Sequence, residues 1–294
     1  SLGLAEVAYQ NSLAYAKDRI QSRSLTGPKN PQKPADPIIV HPDVRRMLLT
    51  QKAYVEAARA FSYWAGLAID REHKHPDPQM RKDMADLVAL LTPVIKGFIT
   101  DNGYECCTLA MQVLGGHGYI AESGLEQYVR DARINMIYEG TNGIQALDLI
   151  GRKVLADAGA KLMKFGKAIQ DVMKRYADDP AMKEFIEPVQ ALLGEVQKVT
   201  MEIGQKAMKN PDEVGAAADP FLRLIGHLVF SFGWVYQAGV AIKKVEAKDP
   251  DPFYQAKLTT ARFYFAKLYP ETATLLKKIR AGSAPLMALD AALF

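Results

Sequence analysis

Apolar residues recur every three or four positions along almost the whole chain, and the two-residue alternation that marks half-buried strands is missing. The pattern predicts an all-α protein. A first helix is expected over about 2–23, closed by the run Gly27-Pro28-Lys29-Asn30-Pro31-Gln32-Lys33-Pro34. Proline lacks an amide donor and restricts its predecessor, so that run cannot continue a helix. A second helix starts near Pro42, where a fixed φ suits the first turn, and reaches about Glu72. His73 to Pro78 breaks it. A third spans about 80–114, with Pro93 inside as a candidate kink and Gly115-Gly116 as its end. Short helices over about 125–133 and 143–158 follow.

The second half is punctuated at Asp179-Pro180, Asn210-Pro211, Asp219-Pro220, Asp249-Pro250 and Tyr269-Pro270. An Asp or Asn before Pro pairs a cap with a first-turn residue, so each break predicts a helix restart. The expected helices cover about 159–177, 181–208, 220–247, 251–268 and 271–281. The closing residues, Ala284 to Phe294, are apolar and are expected to dock on a surface or a partner, since a free apolar tail invites aggregation. No internal repeat is present. The expected division is a helical domain over 1–158 and a further helical extension over 159–294, with a soft boundary near Gly159.

Composition narrows the function classes. The chain has 294 residues, 49% hydrophobic and 24% charged, which supplies an ordinary globular core. The formal charge of +4 is modest and its Lys and Arg are dispersed, so nothing points to nucleic acid. A mild basic excess suits polyphosphate ligands. The two cysteines, Cys106 and Cys107, are adjacent; neighbours on a helix point apart, which disfavours a disulfide. The five histidines show no metal-ligand spacing. This fits a reducing compartment, a bacterial cytoplasm or a mitochondrial matrix. No uninterrupted apolar run reaches the roughly 20 residues that span a bilayer. The richest stretch, Phe221 to Ile242, contains Arg223, His227 and Gln237 and reads as a buried helix, so no transmembrane segment is expected.

Two segments carry candidate chemistry. Ile137-Tyr138-Glu139-Gly140-Thr141-Asn142-Gly143-Ile144-Gln145 sets a carboxylate on a glycine-flanked turn between helices. A carboxylate held between apolar residues resists ionisation and becomes a usable proton acceptor near neutral pH. Gly140 lets a flat substrate or cofactor approach the backbone. The plain alternative is a solvated Glu before a helix. Gln112-Val113-Leu114-Gly115-Gly116-His117-Gly118-Tyr119 ends the long third helix. Two small residues at a helix end expose backbone amides to phosphate or ribose, though they also make an ordinary C-cap.

In order and spacing these segments, joined by Tyr128-Val129-Arg130-Asp131-Ala132-Arg133, resemble the C-terminal helical domain of the acyl-CoA dehydrogenases. There Q-x-x-G-G-x-G-[FY], R-D-x-[RK] and Y-E-G-T follow one another, and the resemblance is dense over about 2–155. It implies an acyl-CoA dehydrogenase C-terminal-like helical bundle and FAD-dependent α,β-dehydrogenation of an acyl-CoA thioester. By the same resemblance Glu139 takes the α proton while the β hydrogen leaves as hydride to flavin, and Tyr138 and Gly140 line the acyl substrate. Gln112, Gly115 and Gly116 would contact the FAD of a partner subunit, and Arg19 its pyrophosphate. Thr141, Asn142 and Gly143 would lie beside the ADP portion, and the same residues suit a helix N-cap.

The chain departs from the family in two places. Ser22-Arg23 stands where Phe-Gly follows the arginine, making Arg23 a candidate second phosphate ligand. Pro42 follows His41 where Gln is usual, which removes a side-chain bond to the cofactor. His117 is read as structural, and the cysteines as buried small residues. The implied partners are acyl-CoA, an electron-transfer flavoprotein as electron acceptor, and further copies of the chain in a homo-oligomer. The extension after 158 looks like the helical tail of one long-form subgroup. The family's upstream helical and β-domains have no counterpart here, so the isolated chain is expected to be inactive. The rival readings are an acyl-CoA oxidase of the same fold, passing electrons to oxygen, and a non-catalytic helical oligomerisation module.

Overall fold

The computed structural model describes all residues 1–294, and apart from one isolated antiparallel bridge between Ile20 and Pro37 its regular structure is helical. The chain forms two compact units, Ser1–Arg59 with Ile99–Glu139, and Ala60–Phe98 with Gly140–Phe294. Two long helices, α2 (Pro42–Lys74) and α3 (Pro78–Leu114), contribute segments to both.

The first unit adds α1 (Leu2–Asp18), the single-turn α4 (Gly116–Tyr119) and α5 (Leu125–Ile134). Small residues let α1 lie close to its neighbours: Ala8 and Ala16 are fully buried, beside Tyr9, Met47, Leu48, Cys107, Ala110 and Val113. A Cβ at Gly103 would lie 2.9 Å from Ser1 Cβ, so α3 needs glycine there. Helix α1 stops at Asp18, five residues short of the expected end at 23. Arg19 turns extended at φ −62° and ψ 117°, and the Ile20–Pro37 bridge captures the next residues. A tertiary backbone pairing thus overrides the helical propensity of Ile20-Gln21-Ser22-Arg23.

In the second unit α6 (Asn142–Leu147) runs on through a π-helical stretch, Asp148–Val154, and a 3₁₀ turn, Leu155–Asp157. Then come α7 (Ala160–Lys174), α8 (Lys183–Ala207), α9 (Asp212–Glu246), α10 (Pro252–Phe263), α11 (Glu271–Ala281) and α12 (Ala284–Met287). Helix α9 is the axis, packed by α6, α8, α10 and α11. By length and composition it could cross a membrane, but 78% of its apolar window is buried within the structure. The expectation of a buried helix holds.

Asp179-Pro180 works as read, Asp179 accepting from Ala181 N at 2.9 Å as an N-cap. Asn210 and Asp249 each accept from the amide two residues on, Asp212 N and Asp251 N, at 3.1 Å, and helices restart just beyond them. Neither is the N-cap: Pro211 precedes α9, and Asp251, before Pro252, caps α10 by accepting from Phe253 N at 2.9 Å. The restart at Asp219-Pro220 does not occur, because Pro220 is buried inside α9. Burying Phe221, Leu222, Leu224 and Ile225 in one continuous helix outweighs the single bond that proline forfeits. The apolar tail does not bury itself on the chain: Leu286, Met287, Leu289, Leu293 and Phe294 are exposed.

Candidate functional site

Within the first unit, the end of α1, the strap that follows it and the α3–α4 corner enclose a cavity of about 740 Å³. Arg19, Gln21, His41, Gln112, Gly115 and Gly116 line it, with Tyr15 and His117 at one wall. Four of the residues singled out from the sequence thus meet in one place, although Arg19 and Gln112 are 93 positions apart (112 minus 19).

The corner folds as its glycines require. Gly115 adopts φ 59° and ψ −140°, a conformation closed to side-chain-bearing residues, while its amide donates to Gln112 O at 3.0 Å. Gly118 donates to Gly115 O at 3.0 Å, and a Cβ there would stand 2.3 Å from Met111 O. Gly116 has nothing within 4 Å of a Cβ position, so its backbone faces open space. It also heads α4, where leading amides lack an intrahelical acceptor.

Polar groups are held at the rim by their neighbours. The Arg19 amide donates to Tyr15 O and its carbonyl accepts from Ile38 N, both at 2.8 Å. His41 Nε2 donates to Gln21 O at 2.9 Å, and Tyr15 Oη lies 3.2 Å from His117 Nδ1. The side chains of Arg19, Gln21 and Gln112 take no partner from the chain. No carboxylate lines the cavity, whereas Ile38, Val44, Met47 and Ile120 give it apolar patches. A guanidinium, two amides, two imidazoles and bare backbone suit a polyphosphate ester carrying a flat ring. The donor set therefore fits the ADP portion of FAD.

Arg23 is not available for that ligand. Its guanidinium is spent inside the strap, on Asn30 O at 3.0 Å, on Asp36 Oδ1 at 3.3 Å and on Lys33 O. The organiser is Asp36, fully buried and absent from the sequence reading. Its Oδ2 accepts from Ser24 N at 2.9 Å, and Oδ1 from Lys29 N at 2.9 Å and Asn30 N at 2.7 Å. The Ser24 amide above all, with those of Asn30 and Lys29 and the Arg23 guanidinium, pulls this carboxyl down to about 2. The signal was present: Asp36-Pro37 is one more Asx–Pro pair in a proline-rich segment.

Glu139 and Tyr138 belong to the same unit but do not line the cavity. Glu139 sits at φ 56° and Gly140 at φ 79°, two left-handed residues in succession. For a side-chain-bearing residue that conformation costs about 1–2 kcal/mol, and such strain gathers at functional sites. Gly140 is thus a requirement of the turn; a Cβ there would also come 3.0 Å from Gln145 Nε2. The expected apolar enclosure of the carboxylate is not supplied by this chain, where Glu139, Ile137 and Tyr138 are all exposed. Tyr138 Oη donates to Asn135 Oδ1 at 2.8 Å.

Gly140, Thr141, Asn142 and Gly143 open the long stretch of the second unit. Thr141 is the N-cap of α6, its Oγ1 accepting from Ile144 N at 3.3 Å. Asn142 ties α6 to α3 by accepting from Lys96 Nζ at 2.7 Å and donating to Gly97 O at 3.3 Å. Gly143 stays open, with only Thr141 Oγ1 near a Cβ, at 3.9 Å. Elsewhere in this unit His227, given no role by the sequence, is fully buried between Tyr264 Oη and Glu271 Oε2, each 3.1 Å from a ring nitrogen. Cys106 and Cys107 are buried free thiols, as expected; burial drives the first far up and the second to about 11.

Comparison with known proteins adds a family. Residues 1–155 match the family described as acyl-CoA dehydrogenase, C-terminal domain, and 154–290 match acetyl-CoA dehydrogenase C-terminal like. The chain is 38% identical over 288 residues to the 3-methylmercaptopropionyl-CoA dehydrogenase of Ruegeria pomeroyi, covering 92% of this chain and 45% of that protein. An acyl-CoA dehydrogenase from Bacillus anthracis, solved with FAD, superposes at a TM-score of 0.70 and 23% identity, over 95% of this chain and 46% of the other. Acyl-CoA oxidase 1 of Yarrowia lipolytica shares the fold at a TM-score of 0.66 and 17% identity, over 99% and 45% of the two chains. The chain spans about half the length of the curated relatives it matches.

Proposed function

The chain belongs to the acyl-CoA dehydrogenase family, and from that premise we propose that the protein carrying it oxidises an acyl-CoA thioester between its α and β carbons with FAD as cofactor. The observation that carries this reading is the carboxylate-free cavity of the first unit, where Arg19, Gln112, Gly115 and Gly116 converge. These are the residues that the resemblance assigns to the cofactor. Arg19 neutralises pyrophosphate charge, Gln112 offers both a donor and an acceptor to ribose or adenine, and Gly116 opens backbone amides. Thr141 and Asn142 hold the start of α6, whose bare Gly143 is assigned to the ADP portion on the cofactor side.

Glu139 takes the α proton. An α C–H is a weak acid, so the base must contact it and the developing enolate must be stabilised by hydrogen bonds. Glu139 is exposed on this chain at a left-handed turn, and Tyr138 and Gly140 flank the place where the acyl group lies. Because this chain leaves Glu139 exposed, bound substrate must itself exclude water from the carboxylate and so strengthen it as a base. FAD, when bound, supplies the acceptor for the β hydrogen. An electron-transfer flavoprotein as final acceptor, a homo-oligomeric state and a reducing compartment complete the proposal.

The test is Glu139→Gln in the full-length protein. The amide keeps size and hydrogen bonding but loses the basic oxygen, so acyl-CoA binding should survive. Anaerobic flavin bleaching by acyl-CoA should slow by about 10²–10⁴-fold. Bleaching at the wild-type rate with binding intact removes Glu139 from this role. The oxidase reading, favoured by the shared fold, is separated by reoxidation: an oxidase returns its electrons rapidly to oxygen, a dehydrogenase to the flavoprotein acceptor.

A further inference from the structure

We infer that Asp36 is a positioning residue for the cofactor cavity, holding the strap 20–37 in the one conformation that presents Arg19, Gln21 and His41 to the ligand. The inference rests on the proposed reading of that cavity as a site for the ADP portion of FAD.

The strap has almost no apolar anchor of its own; Leu25 is 90% exposed, and prolines and polar residues make up most of the rest. Its conformation is set by one carboxylate. Asp36 gathers three backbone amides, those of Ser24, Lys29 and Asn30, and the Arg23 guanidinium. A buried carboxylate satisfied by so many donors rigidifies a loop, and an uncompensated donor left in its place is costly. The same residue continues into the cavity wall through its backbone. Asp36 O accepts from Gln21 N and Asp36 N donates to Ser22 O, both at 2.9 Å. One step further, Ile38 N donates to Arg19 O at 2.8 Å. Gln21 O in turn receives His41 Nε2. Three lining residues therefore hang on a ladder whose far side is the Asp36 cluster. Ser22 is held at φ 61°, a left-handed conformation that the ladder must enforce. Asp36 does not itself line the cavity, so it acts through these residues.

The experiment uses the full-length protein and measures FAD affinity of the stripped apoprotein by fluorescence quenching, together with hydrogen exchange of the strap amides. Asp36→Ala should speed exchange at Ser24, Lys29 and Asn30 and raise the Kd for FAD tenfold or more. At saturating FAD its kcat should stay near wild type, since the reacting atoms are untouched. Asp36→Asn keeps an Oδ1 acceptor for the Lys29 and Asn30 amides but sets an amide donor against Ser24 N, so it should recover only part of the affinity and leave exchange at Ser24 fast. If Asp36→Ala folds poorly, Arg23→Ala removes one donor and should raise the Kd by a smaller factor, with the same pattern of exchange. Arg19→Ala reports on the underlying reading: unchanged FAD affinity there means the cavity does not hold the cofactor. A weakened Arg19→Ala with an Asp36→Ala protein that binds FAD as tightly as wild type overturns the positioning role alone.

Discussion

A single methyl group distinguishes the two jobs of the glycines at the α3–α4 corner. In Gly118→Ala the new carbon would press on Met111 O, a backbone atom that cannot rotate away. Overpacking of this kind costs about 1–3 kcal/mol, so denaturant unfolding should shift accordingly. Gly116→Ala meets nothing within 4 Å and should leave stability within about 0.5 kcal/mol. If cofactor lies on that backbone, its FAD affinity should nonetheless fall tenfold or more in the full-length protein; unchanged affinity would take Gly116 out of the site. At Asp36 the folded carboxyl titrates below its ordinary 3.8, at about 2. A lowered folded-state value means the stabilisation is complete above 3.8 and is lost as pH falls through about 2. A carbon-13 titration of this carboxyl with a midpoint near 4 would contradict the hydrogen-bond cluster.

Among the elements, α9 shows how packing decides length. Gly226 brings its backbone against the fully buried Phe98, whose ring would stand 2.2 Å from a Cβ. Gly239 does the same for Tyr176, at 2.4 Å. Gly226→Ala should therefore destabilise the chain by about 1–3 kcal/mol or more, since a ring inside a filled core has nowhere to turn. Helix α11 is fastened to α9 by Glu271, which receives Arg223 through two nitrogens and His227 through one. Burial opposes ionisation of Glu271, yet bonds from His227 and Arg223 outweigh it and hold the carboxyl at about 2. Both charged side chains keep partial access to water, 23% for Arg223 and 32% for Glu271, which screens the pair. Glu271→Ala should cost about 2–3 kcal/mol, below the full loss for a sealed pair, because Arg223 and His227 lose their acceptor. Arg223→Met with Glu271→Leu should recover part of that loss; a double variant worse than the single would show that the ion pair is itself a net stabiliser.

For the molecule as a whole, the open cavity and the exposed tail point to further surfaces. On the proposed reading the cavity of this chain takes only the ADP portion of the cofactor. The 294-residue chain by itself should elute from gel filtration without bound flavin, and yellow protein near one FAD per chain would contradict that. Leu286, Met287, Leu293 and Phe294, and on α2 Tyr63 and Leu67, are large apolar side chains left exposed by this chain. Association through such faces should give a dimer or larger oligomer by light scattering at micromolar concentration. A monomeric mass counts against it.

Period and punctuation alone determined the helical class and most helix bounds here, because a helix buries one stripe and its spacing is written in consecutive residues. The 271–281 helix and the cap at Asp179 were legible for the same local reason, whereas the cap of α10 fell on Asp251 rather than Asp249. Also legible were four lining residues of the cavity, Arg19, Gln112, Gly115 and Gly116, which the resemblance singled out, whereas the motif around Glu139 supplies none of its lining. What remained hidden depended on contacts between residues distant in the chain. The early end of α1 needed Pro37 to pair with Ile20 across the strap. The passage of α9 through Pro220 needed a core deep enough to outweigh a broken bond. Arg23 was read as a phosphate ligand because a lone arginine looks free until its acceptor is known, and that acceptor is 13 residues away. The exposure of Glu139 was likewise decided in three dimensions, since apolar neighbours in sequence enclose a carboxylate only if they are themselves buried around it, and here Ile137 and Tyr138 are exposed along with it.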